Sequence, residues 1–313
     1  MALKPKVYID GQSGTTGLQI RERLEKRSDI ELLRIDEDKR HDSAERKKFL
    51  NAADVAFLCL PDDGAREAAA MVENPDTCII DASTAHRTAE GWTYGFPELS
   101  GEQRAAIQAS RRIANPGCHA TGLISSTAPL VRMGILPADY PLTCFSLTGY
   151  SGGGKKMIAE YEAPERDERL ASGRLYALTQ KHKHLPEMVK VCGLAHPPVF
   201  VPVVEDFYKG MATTILLQSA LLAKPVTGQE LRDALAEYYA GQRFVSVAPY
   251  GGDEPVLFAS ALAGTNRLRL AVAGNDGQIT VTALFDNLGK GASGAAVQNM
   301  NLVLGFDEGA GLE

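Results

Sequence analysis

Cysteine is scarce in this chain. There are five in 313 residues, at positions 59, 78, 118, 144 and 192, and no two form a C-x-x-C pair. That spacing suggests neither a zinc site nor a disulfide framework, so no metal is expected. It fits a reducing cytoplasm, where a thiol can stay reactive. Long apolar runs are also missing. None reaches the roughly 18–20 residues that span a bilayer, so no membrane partner is expected. Met1 to Lys6 leads straight into a strand-like segment and lacks the apolar core of a signal peptide. An excess of basic charge is absent too: the net charge is −6, which argues against nucleic acid as the main partner. A local basic pocket for a small anion stays open. What remains is 44% hydrophobic and 23% charged, the composition of a globular protein with a sizeable core in one large or two ordinary domains.

The first third alternates strands and helices. Lys6 to Asp10 forms an apolar strand, and Gly11-Gln12-Ser13-Gly14-Thr15-Thr16-Gly17 follows before an amphipathic helix from Leu18 to Leu24. Glycines at i, i+3 and i+6 allow a tight turn and close approach of a pyrophosphate, which the helix N-terminus meets with N–H donors. Gly11, Ser13, Gly14, Thr15, Thr16 and Gly17 are therefore candidate cofactor contacts. The plainer account is a glycine turn without a ligand. A second strand is expected from Ile30 to Ile35, ending in Asp36-Glu37-Asp38-Lys39-Arg40. An acid here would bond the ribose of NAD, whereas Arg34, Lys39 or Arg40 would suit the 2′-phosphate of NADP. The stretch holds both charges and leaves the choice open.

Asp54 to Leu60 is a nearly continuous apolar run, as in a parallel strand covered on both faces. A helix is expected from Gly64 to Val72, with Asp62 or Asp63 as its N-cap. Cys78 to Asp81 makes a further strand, followed by Ser83 and Arg87. Such alternation implies a doubly wound, Rossmann-like parallel sheet, whose ligands gather at the carboxyl ends of the strands. Ser83 is a cofactor candidate there and Arg87 a candidate for an anionic substrate. Cys59 and Cys78 fit core-filling thiols.

Asn115-Pro116-Gly117-Cys118 opens a helical run from Leu123 to Val131. A thiol at a helix N-terminus faces backbone N–H groups and the positive end of the dipole, which favour the thiolate. The thiolate attacks carbonyl carbon. The plainer account of Cys118 is a buried structural thiol.

Beyond Cys118 the pattern changes to strands in succession. Pro141 to Tyr150 is expected as a long strand, followed by Ser151-Gly152-Gly153-Gly154-Lys155, which suits an anion cradle or a flexible connector. Ile158 to Ser172 is a charged helix or excursion. His182 and His184 stand at i, i+2 with Glu187 three residues on; no third cluster completes a metal site. A cysteine nucleophile needs a base that titrates near neutrality, and histidine is suited to that. Glu187 could cap the helix after Pro186 or orient an imidazole. Val199 to Val204, Gly210 to Leu217, Leu221–Leu222, Val245 to Val247, Leu268 to Val272 and Gln278 to Leu284 look like strands of an antiparallel set, the last two joined by an Asn275-Asp276-Gly277 turn. The second half is therefore an α+β domain with a mostly antiparallel sheet. Asp286 to Gly305 is a glycine-rich turn opening a small-residue helix, expected to rejoin the first domain and bring Asn287 and Lys290 near the cofactor. The expected division is 1–117 plus 287–313 for dinucleotide binding and 118–286 for catalysis and oligomerisation.

Six segments in this order resemble the N-acetyl-gamma-glutamyl-phosphate reductase family, in its shorter bacterial branch. They are Gly11 to Gly17, Tyr94-Gly95-Phe96-Pro97-Glu98-Leu99, Asn115 to Cys118, Ser151 to Lys155, His182 to Glu187, and Asp286-Asn287-Leu288-Gly289-Lys290-Gly291-Ala292. The resemblance runs from residue 6 to about 305. It implies NADPH-dependent reductive dephosphorylation of N-acetyl-L-glutamyl 5-phosphate to the 5-semialdehyde, in arginine biosynthesis. It implies Cys118 as nucleophile and His184 or His182 as acid/base, and a homodimer or homotetramer. Arg87, Asn115, Ser151, Gly152 and Lys155 become substrate candidates. His119 departs from what the resemblance implies, where a tyrosine or another residue is expected. Other readings are an aspartate-semialdehyde dehydrogenase-like acyl-phosphate reductase, a cysteine hydrolase or acyltransferase, and a non-catalytic dinucleotide-binding regulator. The glycine turn argues against a hydrolase, and the regulator leaves Cys118 and the histidine pair unexplained.

Overall fold

The computed structural model describes residues 3–252 and 255–312. The chain forms two compact units: one runs up to Pro116 and resumes at Ala292, and the other spans Gly117 to Gly291.

In the first unit the chain runs β1 (Lys6–Asp10), α1 (Thr15–Leu24), β2 (Glu31–Leu32), α2 (Ser43–Ala52), β3 (Val55–Leu58), α3 (Asp62–Ala70), β4 (Cys78–Asp81), β5 (Thr93–Tyr94), α4 (Gly101–Ala109) and β6 (Arg112–Ala114). The strands pair in the order β2-β1-β3-β4-β6-β5, all parallel. β3 and β4 are buried at every position, which is why their sequences are unbroken apolar runs.

Three expectations change here. β2 is two residues long instead of Ile30 to Ile35, because this edge strand pairs with β1 alone and its last rung is Leu33 N–H to Val7 O. α3 starts two residues before Gly64, at Asp62. Pro61 occupies its N-cap, so neither Asp62 nor Asp63 does. The Asp62 carboxylate instead accepts from the Thr84 backbone N–H at 3.0 Å and from the Thr84 hydroxyl.

The second unit contains α5 (Cys118–Arg132), β7 (Thr143–Gly149), α6 (Gly154–Tyr161), β8 (Arg174–Leu175), α7 (Leu185–Cys192), β9 (Val199–Glu205), β10 (Met211–Gln218), α8 (Gly228–Tyr238), β11 (Val245–Val247), β12 (Leu268–Gly274) and β13 (Gln278–Phe285). Its sheet order is β11-β12-β13-β10-β7-β9-β8. Most pairings are antiparallel, but β7 with β9 and β11 with β12 are parallel, so Val199 to Val204 and Val245 to Val247 each join one neighbour in the opposite sense to that expected. Leu221 closes a short 3₁₀ turn, and Leu222 follows it, where strand was expected. The charged stretch begins as α6 but leaves helix after Tyr161. The Asn275-Asp276-Gly277 turn joins β12 to β13 as expected, with the Asn275 carboxamide accepting the Gly277 N–H at 2.9 Å.

The last helix, α9 (Gly294–Leu304), belongs to the first unit. Its Asn299 donates to Gly95 O at 2.9 Å and its Gln298 to Glu98 at 2.8 Å. Among the described residues no helix is long and apolar enough to cross a membrane.

α5 sets the geometry of the second unit. It is buried from His119 to Leu130 and lies on β10 and β13. Gly122 permits this approach: a Cβ there would stand 2.4 Å from Thr213 Cβ and 3.0 Å from Phe285 Cε1. Gly122→Ala must therefore push α5 off the sheet or distort both. Overpacking of this kind costs about 1–3 kcal/mol. The expected outcome is a lower urea midpoint than wild type, followed by circular dichroism; an unchanged midpoint contradicts this packing.

Candidate active site

The second unit gathers its chemistry at the start of α5. Pro116 and extended Gly117 (φ −78°, ψ 148°) deliver the chain into the helix, so Cys118 is its first residue. Gly117 has no side chain to cap the first turn, whose N–H groups point out of the helix end. Thr121 N–H to Gly117 O, 2.8 Å, closes that turn. The Gly117 N–H itself donates to Glu187 Oε2 at 3.1 Å, inside the protein. Cys118 and Cys59 are partly exposed, while Cys78, Cys144 and Cys192 are buried. Burial pushes the Cys78 thiol up to about 12 and drives the Cys59, Cys144 and Cys192 thiols higher still. Gly291 passes so close that a Cβ there would be 3.0 Å from Cys118 Cβ.

The histidines arrive on the loop between β8 and α7. Ala177 (φ 53°) and Gln180 (φ 57°) both hold left-handed backbone, a strained choice for side chains of this kind. The Gln180 carboxamide fastens the loop to β9. It donates to Phe200 O and accepts from Phe200 N–H, each at 2.9 Å, in the manner of a strand partner. His184 then caps α7, and its own N–H donates to His182 Nδ1 at 3.1 Å. The His182 and His184 rings stand edge to face, 4.7 Å apart, and His184 is buried. Glu187, one turn into α7, is the carboxylate that holds Gly117.

His119 belongs to this cluster. Its ring lies 5.4 Å from His182 and 5.8 Å from His184. Nδ1 is 2.7 Å from Ser146 Oγ and Nε2 is 2.7 Å from the Tyr176 hydroxyl. Burial, with His182 as a smaller cause, pulls the His119 pKa well below the ordinary value and keeps the ring neutral. Burial and the Cys118 charge push the Tyr176 hydroxyl far up, so it stays protonated.

Beside this cluster Asn287 donates to Ser151 Oγ at 3.0 Å and accepts the Gly210 N–H at 2.9 Å. Asp286 ties down the next turn, accepting from Leu288 N–H at 2.8 Å and Gly264 N–H at 2.5 Å. Lys290 is buried with its ammonium 6.0 Å from the Phe244 ring centre. Gly152 and Lys155 are exposed.

In the first unit the glycine turn is sterically obligatory. Gly11 has φ +85°, and a Cβ there would meet Cys59 O at 2.4 Å; one on Gly17 would meet Gly11 O at the same distance. α1 starts with Gly14 as N-cap, without a side-chain cap and without an acid in its first turn. Such a helix start is suited to an anionic pyrophosphate. Arg34 reaches Glu25 at 3.1 Å and Lys39 reaches Asp36 at 3.5 Å, on the exposed segment after β2. At the end of β4, buried Asp81 accepts from the Ser83 N–H at 2.9 Å and hydroxyl at 2.8 Å, and lies 2.7 Å from His86 Nδ1. His86 stacks on Trp92 at 3.9 Å. Arg87 donates to Asn115 O at 2.9 Å and Ala82 O at 3.2 Å, and Asn115 donates to Ala292 O at 2.9 Å.

The structure thus brings Gly117 against Glu187 and His119 against His182 and His184 at the start of α5, pairs Ser151 with Asn287, and joins Arg87 to Asn115. Sequence reasoning missed Tyr176, Ser146, Thr213, Gln180, Asp81 and His86. Alternation along β7 carried one usable signal: Cys144, Ser146 and Thr148 share its buried face, so Ser146 is a polar group in the core.

Residues 6–107 match the family model described as semialdehyde dehydrogenase, NAD binding domain, and residues 118–287 that described as semialdehyde dehydrogenase, dimerisation domain. Among solved structures, aspartate semialdehyde dehydrogenase II from Vibrio cholerae superposes with a TM-score of 0.74 at 17% identity, over 97% of this chain and 99% of that one. The Candida albicans aspartate semialdehyde dehydrogenase with NADP gives 0.66 at 16% identity, over 96% and 99%. These show a shared fold. An N-acetyl-gamma-glutamyl-phosphate reductase from Chelativorans is 50% identical over 305 residues, covering 96% of this chain and 98% of the relative. One from Nostoc is 48% identical over 320 residues, covering 99% of each. The chain belongs to the N-acetyl-gamma-glutamyl-phosphate reductase family, built on the semialdehyde dehydrogenase fold.

Proposed function

We propose that this chain reduces N-acetyl-L-glutamyl 5-phosphate to N-acetyl-L-glutamate 5-semialdehyde with NADPH, releasing phosphate, in the cytoplasm as a step of arginine biosynthesis. One observation carries the reading. The helix that starts with Cys118 is tied at its cap to Glu187, on the helix that starts at His184. That hydrogen bond links the nucleophile's helix to the histidine's helix.

The Cys118 thiolate attacks the acyl carbon. The C–O bond to phosphate breaks and a thioester forms. The N–H groups of the first turn of α5 stabilise the oxyanion that develops on the acyl oxygen. A nicotinamide, when bound, supplies the hydride that takes the thioester to the aldehyde level. Gly11, Ser13, Gly14, Thr15, Thr16 and Gly17 hold its pyrophosphate, since only glycine fits at Gly11 and Gly17 and the start of α1 is uncapped. Ser83, Asn287 and Lys290 are further candidates for cofactor contact. Arg34, Lys39 and Arg40 after β2 are the candidate contacts for the 2′-phosphate of NADPH, each paired with an acid in this structure. His184 gives a proton to the oxyanion; on collapse the hydroxyl proton returns to His184 as the C–S bond breaks, releasing the aldehyde and the Cys118 thiolate.

His184 is favoured over His182 by one bond. His182 Nδ1 accepts the His184 N–H, so that nitrogen must stay unprotonated to hold the loop. His182 acts as a cap and His184 as the acid. Ser151, Gly152 and Lys155 are candidates for the substrate's anionic groups in the second unit, and Arg87 and Asn115 in the first. A homodimer or homotetramer is supported by the exposed Phe145, Val199 and Leu216, which share one face of the seven-stranded sheet.

Turnover is followed by the absorbance of reduced nicotinamide, run in reverse with the semialdehyde, phosphate and NADP⁺. The wild-type chain turns over under these conditions. Cys118→Ser binds NADPH as wild type does, by fluorescence titration, and loses roughly 10³-fold or more in kcat. Retained turnover in that variant eliminates the thioester route. His184→Asn loses about 10²- to 10⁴-fold in kcat. His182→Asn loses less, because an asparagine carboxamide can still accept the His184 N–H. The reverse ranking would make His182 the acid.

A further inference from the structure

The loop that carries His182 and His184 leaves the sheet opposite a residue that cannot complete a pair. β8 runs antiparallel to β9, with Arg174 opposite Val204 and Leu175 opposite Val203. Continued, that register sets Tyr176 opposite Pro202 and Leu178 opposite Phe200. The Tyr176 N–H donates to Pro202 O at 3.2 Å. Proline has no N–H to return, so the ladder stops there. The chain turns away instead. Ala177 and Gln180 take left-handed backbone, the Gln180 N–H closes the turn on Ala177 O at 2.9 Å, and Leu178 is left exposed.

In an antiparallel ladder the next hydrogen-bonded pair stands two residues along, and its members exchange both N–H···O bonds. That rung would belong to Leu178 and Phe200. The Gln180 carboxamide fills it: it donates to Phe200 O and accepts the Phe200 N–H, each at 2.9 Å. Phe200 meets the same loop a second time. Its buried ring stands edge to face with His182, 5.2 Å between centres. His182 Nδ1 in turn accepts the His184 N–H at 3.1 Å. One residue of β9 therefore holds the loop by its backbone, through Gln180, and supports His182 by its ring.

We infer that Gln180 is a positioning residue, whose carboxamide replaces the missing rung on β9 and so fixes where the loop presents His182 and His184. Its effect on turnover rests on the reading of His184 as the acid; its effect on the loop does not.

The test reads the loop without substrate or cofactor. Each protein is treated with diethyl pyrocarbonate, and the modified histidines are quantified by peptide mass spectrometry, with exposed His41 and His196 as references. Gln180→Met keeps the side chain's length and loses both bonds. Gln180→Gly loses both bonds and also removes the cost of left-handed backbone. In both variants His182 and His184 react about tenfold faster than in the wild type, because the loop opens locally, and His41 and His196 react as before. In the reductase assay kcat falls by about 10- to 100-fold, with the KM for the semialdehyde and the NADPH affinity kept. Wild-type labelling of His182 and His184 in both variants overturns the proposal. Wild-type labelling in Gln180→Gly alone overturns the role of the carboxamide, because backbone conformation is then the whole constraint. Faster labelling with undiminished turnover upholds the positioning of the loop and removes His184 as the acid.

Discussion

The hydrogen bond from Gly117 N–H to the Glu187 carboxylate is the contact on which the second unit's site depends. A bond to a charged acceptor inside a protein is worth about 1.5–3 kcal/mol. Its value here is positional. It connects the residue before Cys118 to the first turn of the helix that His184 caps. Glycine at position 117 leaves the first turn of α5 without a side-chain cap, and that absence suits a helix end meant for a developing oxyanion.

Close approach recurs around this contact. Gly122 lets α5 settle on β10, and Gly291 lets the segment after β13 pass against Cys118. The strained loop from Ala177 to Gln180 is the counterpart on the other side. Two left-handed residues are held there because the Gln180 side chain pairs with the Phe200 backbone as a strand would. Strain of about 1–3 kcal/mol per such residue persists only when the surroundings fix it, and it concentrates where side chains must be aimed. The loop aims Tyr176, His182 and His184.

Much of this was legible in the sequence because it depends on local rules. The glycine turn at 11–17, the buried runs of β3 and β4, the Pro-Gly entry to α5 and the Asn275 hairpin are dictated by neighbours in the chain. Glu187 was legible as a capping or orienting acid, yet its partner, 70 residues away, was not. The same holds for His119: its identity was evident, while Ser146 and Thr213 meet it only once β7 and β10 pair beneath α5. β2 was overextended because its apolar run continues past Leu32, and nothing in that run tells that the last rung is Leu33 to Val7. The sense of β11 was misjudged for a related reason, since parallel and antiparallel edges look alike in three residues.

The most direct test of the central claim is to trap the acyl enzyme. The protein is mixed with freshly made N-acetylglutamyl phosphate without any nicotinamide, quenched in acid, and read by intact mass and peptide mapping. The account predicts one N-acetylglutamyl group per chain, on the peptide that contains Cys118, released by hydroxylamine. No adduct, or one on another cysteine, would contradict it.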